Sequence, residues 1–290
     1  MAPAAEKKGA ASAKNGKHHL FKEKNLLYNN PAILSGEKRP RLSEGWLTSL
    51  TKIERLRQII DESKNLCVFT GAGISCPSGI PDFRSENGIY RMGDGQYAPE
   101  EIVSHSFFLA HPDLFYEFYQ SKMLYPDAKP NAAHYYIAGM ESDERHITVV
   151  TQNIDGLHQA AGSTTVLELH GSALRNTCMR CGRHFGMEAV LPAGVPHCPD
   201  CGGIIRPDVV LYEEPLDEQV VARAIAAIRA ADAMLVIGTS LVVYPAAMYV
   251  RYFRGEHLVL INKSETSYDG EAELIFHEDV IRVVSALKMR

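Results

Sequence analysis

The stretch Leu66-Cys67-Val68-Phe69-Thr70-Gly71-Ala72-Gly73-Ile74-Ser75 decides the fold of this chain. Its first four residues form a short apolar run suited to a buried strand. A strand that gives way to small residues at its C-terminal end is where a doubly wound sheet accepts a nucleotide. Gly71 and Gly73 lack the Cβ that would hold backbone N–H groups away from a pyrophosphate. The G-x-G-x-x-G fingerprint is incomplete, because Cys76 stands at the third glycine position. Gly-Ala-Gly alone is equally consistent with a tight strand-to-helix turn. The continuation Ser78-Gly79-Ile80-Pro81-Asp82-Phe83-Arg84-Ser85 favours the nucleotide reading, since it brings an aromatic ring, a carboxylate and a guanidinium to the same turn.

Outward from this segment, strand and helix patterns alternate. Residues 131–140, 217–231 and 279–287 have helical spacing, while 146–150, 166–169, 209–211, 233–237, 258–261 and 274–276 read as strands. The order predicts an α/β fold with a doubly wound, Rossmann-like parallel sheet covered on both faces. Gln152, His170, Gly238 and Asn262 directly follow predicted strands, at the edge where such sheets bind ligands. Gly238, Thr239 and Ser240 are expected to open a helix and offer a second phosphate or ribose platform.

Upstream, Trp46, Leu47, Leu50, Ile53, Leu56, Ile59 and Ile60 recur at helical spacing, so ordered structure is expected from about Ser43. Residues 86–130 lack a strand pattern and read as a mobile loop followed by a small helical insertion able to close over a bound cofactor. Up to Arg41 the chain carries nine Lys or Arg against three Glu, and residues 1–44 have no sustained apolar period. They read as a basic, disordered arm, with a docking arm for an acidic partner as the sharper alternative. The catalytic domain then runs over 45–290, its large part comprising 45–85, 131–172 and 206–290.

With 290 residues, 46% hydrophobic and 22% charged, the composition is that of a globular protein. The apolar runs are too short to cross a bilayer. No apolar signal core follows the first methionine, which argues against export. A net charge of −5 argues against a surface that grips nucleic acid throughout. Four of six cysteines form two C-x-x-C pairs, a usage that fits metal binding in a reducing compartment and a cytoplasmic location.

Those pairs, Cys178-x-x-Cys181 and Cys198-x-x-Cys201, stand sixteen residues apart. Each can form a knuckle presenting two thiolates, and two knuckles complete a tetrahedron around one structural zinc within a module at about 173–205. A closed Cys₄ shell has no open position for chemistry. His184 and His197 are read as bystanders. A redox dithiol is the weaker alternative. Arg175, Arg180, Arg183 and Arg206 keep open a zinc ribbon that binds nucleic acid.

Three further segments follow the glycine stretch in order: Thr151-Gln152-Asn153-Ile154-Asp155-Gly156-Leu157-His158, His170-Gly171 and Gly238-Thr239-Ser240-Leu241. With the cysteine module between the last two, this series resembles the signature of the sirtuins, NAD-dependent protein-lysine deacylases, in a prokaryotic-like form. The resemblance spans residues 53–288. It implies NAD as co-substrate, bordered by Gly71, Ala72, Gly73, Ser75, Cys76, Asp82, Phe83, Arg84, Gln152, Asn153, Ile154, Asp155, His170, Gly238, Thr239, Ser240, Asn262 and Lys263.

The resemblance further implies a reaction in which the acyl-lysine oxygen attacks the nicotinamide ribose and nicotinamide leaves. The ribose 2′-oxygen then attacks the resulting imidate carbon, and water releases lysine and O-acyl-ADP-ribose. His170 would act as general base on the ribose, a task suited to an imidazole that titrates near neutral pH. Asn153 would orient the ribose hydroxyls or a water, and Asp155 and Ile154 would hold the nicotinamide amide. Phe83 would shield the reactive carbon. Arg84 would face the pyrophosphate or instead pair with Asp82. Asn262 and Lys263 would border the adenosine, although simple exposure accounts equally well for Lys263.

Residues 209–214 and 241–244 match the segments that sandwich the substrate peptide as an added strand, so Val209, Leu211, Tyr212, Glu213 and Val243 are expected to touch it. Tyr212-Glu213-Glu214 departs from the aromatic-Gly-Glu frequent in the family. Tyr119 and Lys122 half-match a Tyr-x-x-Arg pair that selects acidic acyl groups. Because Lys cannot bind a carboxylate bidentately, uncharged acyl groups are expected. Competing readings are a mono-ADP-ribosyltransferase or NAD hydrolase using the same site, a hydride-transferring dehydrogenase, and a non-catalytic zinc-ribbon binding module.

Overall fold

The computed structural model describes residues 49–83, 85, 88–91 and 97–289. The arm at 1–44, Trp46, Leu47 and Arg84 lie outside them. In chain order the helices are α1 (Ser49–Glu62), α2 (Pro99–Ile102), α3 (His105–Ala110), α4 (Pro112–Lys122), α5 (Ala132–Gly139), α6 (Leu157–Ala160), α7 (Glu218–Ala230) and α8 (Val280–Lys288). The strands are β1 (Asn65–Thr70), β2 (His146–Thr151), β3 (Val166–Glu168), β4 (Gly171–Cys178), β5 (His184–Phe185), β6 (Ile205–Val209), β7 (Ala233–Ile237), β8 (His257–Ile261) and β9 (Leu274–Phe276).

Six strands form a parallel sheet in the order β3-β2-β1-β7-β8-β9. Every residue of β1 after Asn65, and every residue of β7, is buried, which is why these strands read as continuous apolar runs. Alternate side chains divide between two cores. Val68, Leu235 and Val259 point to one face, with Leu56 and Ile59 of α1, Ile137 of α5 and Val283 of α8. Cys67, Phe69, Met234 and Val236 point to the other, with Ile228 of α7 and Val250. The strand order reverses between β1 and β7, so the crevice of a doubly wound sheet opens between the loops that leave them.

The α7 helix starts where the side chain of Asp217 accepts from the N–H groups of Gln219 and Val220, at 2.8 and 2.9 Å. Such a cap contributes about 1 kcal/mol. At α5, Asn131 does the same for Ala133 at 2.9 Å.

A second sheet, ordered β5-β4-β6, is antiparallel. The strand expected at 209–211 is therefore not part of the parallel sheet. It is β6, which ends at Val209, because Gly171 at φ 76 lets β4 turn alongside it. This small sheet shares one apolar cluster with α3 and α4: Phe108, Phe115, Tyr116 and Tyr119 pack with Cys178, Cys198, Ile205 and Leu211.

Two expected helix starts differ. After Gly71 the chain makes two short 3₁₀ turns, Ala72–Ile74 and Cys76–Ser78, with Gly79 left-handed at φ 87. Gly238-Thr239-Ser240 does not open a helix: Gly238 and Leu241 are both left-handed, at φ 62 and 53, and a 3₁₀ helix forms only at Ala246–Tyr252, after Pro245. Among the described residues no helix is long and apolar enough to cross a membrane.

Candidate active site

The C-terminal ends of β1, β2, β7 and β8, with the loop after β3, surround a cavity of about 600 Å³, within the range of small-molecule sites. Of the residues expected at the nucleotide, Gly71, Ala72, Gly73, Cys76, Asp82, Phe83, Gln152, Asn153, Ile154, His170, Gly238, Thr239, Ser240, Asn262 and Lys263 line it. Ser75 and Asp155 are not in the wall. They support it: Ser75 donates to Asp155 Oδ2 at 2.7 Å and accepts from Asn153 Nδ2 at 3.1 Å, while Leu157 N–H donates to Asp155 Oδ1 at 2.9 Å. Burial raises the Asp155 carboxyl above its ordinary pKa despite these bonds.

The glycines have a second reason to be there. Gly71 N–H donates to Ile237 O at 3.1 Å and Gly73 N–H to Gly238 O at 2.8 Å, which ties the two crevice loops backbone to backbone. A Cβ on Gly71 would stand 2.7 Å from Thr239 Cβ, and one on Gly73 would stand 2.8 Å from Gly238 Cα. Only residues without side chains allow this approach. Thr239 Oγ1 in turn accepts from Gln152 Nε2 at 3.0 Å, joining the loop after β7 to that after β2.

His170 follows β3, and its Nδ1 lies 2.9 Å from the carbonyl oxygen of Gln152. A carbonyl only accepts, so Nδ1 carries the hydrogen and Nε2 of the neutral ring keeps its lone pair. Burial holds the ring's pKa below its ordinary value, partly offset by the bond to Gln152. The site thus holds an imidazole of fixed tautomer, biased towards the neutral form, in the same wall as the glycine turn. That is the equipment of a general base beside a bound nucleotide.

At the far end, Lys263 Nζ pairs with Asp279 Oδ2 at 2.9 Å, and Asn262 donates to Ser264 O at 2.8 Å. Asp279 was not legible as a site residue, since it also caps α8. At the near end Phe83 packs on Tyr90, with ring centroids 5.3 Å apart, and the hydroxyls of Tyr90 and Tyr212 meet at 3.0 Å.

Val209, Leu211, Tyr212, Glu213, Val243 and Tyr119 also line the cavity, whereas Lys122 does not. Lys122 is the last residue of α4, between Tyr119 and Met123, both of which line the cavity. Glu213 is left-handed at φ 75, a conformation in which glycine is unstrained. Its carboxylate accepts from the Ser106 N–H and hydroxyl, both at 2.9 Å, and so anchors the strained turn on α3. Glu214 is held by both Arg206 and His105.

The sulfurs of Cys178, Cys181, Cys198 and Cys201 all lie within 4.8 Å of one another. Two edges measure 3.5 and 3.8 Å, close to the roughly 3.8 Å expected for a tetrahedron with Zn–S bonds of about 2.3 Å. Gly182 and Gly202, at φ 73 and 69, close each knuckle by donating to Cys178 O and Cys198 O at 2.9 and 2.8 Å. His184 and His197 are engaged elsewhere, with Thr177 Oγ1 and Gly202 O. The donor set fits one structural zinc.

Known proteins resemble this chain in sequence and structure. An "NAD-dependent protein deacetylase" of Clostridium acetobutylicum is 52% identical over 241 residues, covering 82% of this chain and 98% of the relative. The protein of the same name from Cutibacterium acnes is 48% identical over 237 residues, covering 81% and 97%. A solved structure described as "Sir2-p53 peptide-NAD+" superposes with a TM-score of 0.70 at 38% identity, covering 80% of this chain and 95% of that one. Another, "Sir2 bound to acetylated peptide", gives 0.70 at 37%, covering 81% and 96%. The model of the Sir2 family matches residues 71–245, from the first crevice glycine to the end of the loop after β7. The same span carries His170 and the four cysteines, and on these grounds the chain belongs to the Sir2 family.

Proposed function

We propose that this chain is an NAD-dependent protein-lysine deacetylase in which His170 is the general base. The observation that carries the reading is the His170–Gln152 bond, which leaves Nε2 unprotonated in the wall that also holds Gly71, Gly73, Asn153 and Thr239. NAD, when bound, supplies the glycosidic bond whose cleavage drives acyl transfer and releases nicotinamide. Residues of the chain do the rest. The turn at Gly71–Gly73 and the loop at Gly238–Ser240 present backbone groups to the phosphates. His170 Nε2 takes a proton from the ribose hydroxyls. Asn153, tied to Ser75, orients those hydroxyls or a water, and Phe83, packed on Tyr90, keeps water from the reacting carbon.

The acyl-lysine peptide enters as an added strand between residues 209–213 and 241–244. The acyl pocket accepts an uncharged group: Tyr119 lines the cavity, and a Lys at position 122 cannot bind a carboxylate bidentately as an Arg would. Against a nucleic-acid face, Arg175 pairs with Glu168, Arg183 with Asp200 and Arg206 with Glu214, while Arg180 donates to the Cys201 carbonyl. The cysteine cluster holds the small sheet and takes no part in chemistry.

The test is mass spectrometry of products from acetyl-lysine peptide and NAD. Free lysine peptide, nicotinamide and O-acetyl-ADP-ribose are expected, and His170→Tyr is expected to form none of them. ADP-ribosylated protein, or ADP-ribose without loss of the acetyl group, would replace this reading by a transferase or a hydrolase.

A further inference from the structure

Behind the wall that carries Asn153, two histidines meet in the core. His134 of α5 and His158 of α6 are buried, with ring centroids 4.9 Å apart in an edge-on arrangement. Each has one nitrogen engaged. His134 Nδ1 accepts from the Asn131 N–H at 3.2 Å, so in the neutral ring the hydrogen sits on Nε2. His158 Nε2 lies 3.0 Å from Thr70 Oγ1, whose hydroxyl donates to Thr151 Oγ1 at 2.8 Å. A hydroxyl that has given its hydrogen can only accept from a third group, so His158 Nε2 carries the proton and Nδ1 is bare.

The remaining two ring atoms are complementary. His134 Nε2 and His158 Nδ1 are both buried without a partner among the described residues, and one is a donor while the other is an acceptor. The opposite tautomer of His158 would set two buried donors against each other, an arrangement interiors avoid. Beyond the histidines, Thr151 Oγ1 also accepts from the Asn153 N–H at 3.0 Å. At the other end, Asn131 Nδ2 grips Ile74 O and Ser78 Oγ, at 2.8 and 2.9 Å, in the segment that follows the glycine turn.

We infer that His134 and His158 are positioning residues for Asn153. They form one polarised chain: Asn131 N–H to His134, His134 Nε2–H to His158 Nδ1 through one water, His158 Nε2–H to Thr70, and Thr70 to Thr151. The chain fixes the hydroxyl of Thr151 with a lone pair towards the Asn153 N–H, and so sets the backbone from which the Asn153 side chain enters the cavity. The inference rests on the role given to Asn153 above.

Two experiments test it. Long-range proton–nitrogen NMR of the full chain labelled with ¹⁵N-histidine, assigned by single variants, reads the tautomers directly. At neutral pH both His134 and His158 are expected as Nε2–H and His170 as Nδ1–H. An Nδ1–H tautomer or an imidazolium at either core histidine would overturn the chain. This readout needs no activity, so a wild type without deacetylation would sink the proposed function and leave the tautomer result standing.

The second experiment compares His158→Phe, which removes the donor to Thr70, with His158→Gln, whose amide N–H stands near the Nε2 position. Well below the melting temperature of each variant, kcat is expected to fall about tenfold in the former, a modest misplacement effect, and to stay within about twofold of wild type in the latter. Unchanged kcat in His158→Phe, or an equal loss in both, would reduce the pair to packing.

Discussion

His170 Nδ1 and the backbone oxygen of Gln152 are 2.9 Å apart, so the residue that follows β2 also sets the tautomer of the imidazole that follows β3. The bond uses backbone that no substitution at Gln152 removes. Replacing His170 by Ala is expected to lower kcat about 10²–10⁴-fold, the usual contribution of a positioned general base.

The same histidine fixes a pH dependence. Only the neutral ring accepts a proton, so kcat/KM falls as pH drops through the His170 pKa. Burial lowers that pKa, which places the acid limb below the ordinary imidazole value of about 6.5. A profile measured with acetyl-peptide and NAD whose acid limb lies above that value would contradict the burial argument.

The glycines make a separable prediction. Gly73→Ala drives a methyl into Gly238 Cα and is expected to cost about 1–3 kcal/mol while raising KM for NAD, because the turn must open. Gly79→Ala meets nothing within 4 Å and carries only the penalty of a left-handed alanine, about 1–2 kcal/mol, with KM for NAD unchanged. Melting curves and NAD titrations of the two variants should differ in that way. Equal KM values would show that the turn does not shape the nucleotide site.

Much of this was legible in the sequence because the parallel sheet is buried on both faces, so its strands are unbroken apolar runs ending at polar motif residues. The C-x-x-C pairs were legible because thiolate geometry restricts spacing. What was not legible depends on contacts between distant segments. Nothing local marks residues 205–209 as part of a separate antiparallel sheet, or shows that Gly238 packs against Gly73. His158 was visible only inside a longer motif. Its partner His134 sits on a different helix, and the pairing is set by burial alone.

Metal removal should act on the small sheet first. Stripping zinc with a chelator, or substituting Cys198→Ser, leaves the knuckles without their shared ion. The expected result is a lower melting temperature with loss of the packing around Phe115 and Tyr119, which share the cluster with Cys178 and Cys198. Activity then falls indirectly, because β6 leads into Val209 and Leu211 at the cavity. Full activity in a metal-free, monodisperse sample would separate the cysteine cluster from the peptide site.

Acid should destabilise the fold through the core histidines. Burial lowers the His134 pKa to about 4 and that of His158 to about 3. The unfolded chain titrates near 6.5, so it binds protons that the folded chain refuses. Their contribution is complete above about pH 6.5 and declines as pH falls towards the folded values, by up to about 1.4 kcal/mol per pH unit for each ring. The slope of stability against pH should flatten in His134→Phe. An unchanged slope would mean that carboxylates alone govern acid unfolding.

Glu213 allows strain and anchoring to be weighed against each other. At φ 75 any residue with a Cβ is strained by about 1–2 kcal/mol relative to glycine, and the two bonds to Ser106 offset part of this. Glu213→Ala keeps the strain and loses the bonds, whereas Glu213→Gly loses both. The glycine variant is therefore expected to be more stable than the alanine variant by about 1 kcal/mol. Both remove the bonds to Ser106, one of several ties between the turn at 211–214 and α3, so KM for the peptide is expected to rise in each while KM for NAD holds, if the peptide lies against residues 209–213 as proposed. If the alanine variant proves as stable as the glycine variant, the backbone at 213 relaxes out of the left-handed region once its anchor is gone, and the carboxylate is then what holds the turn in place.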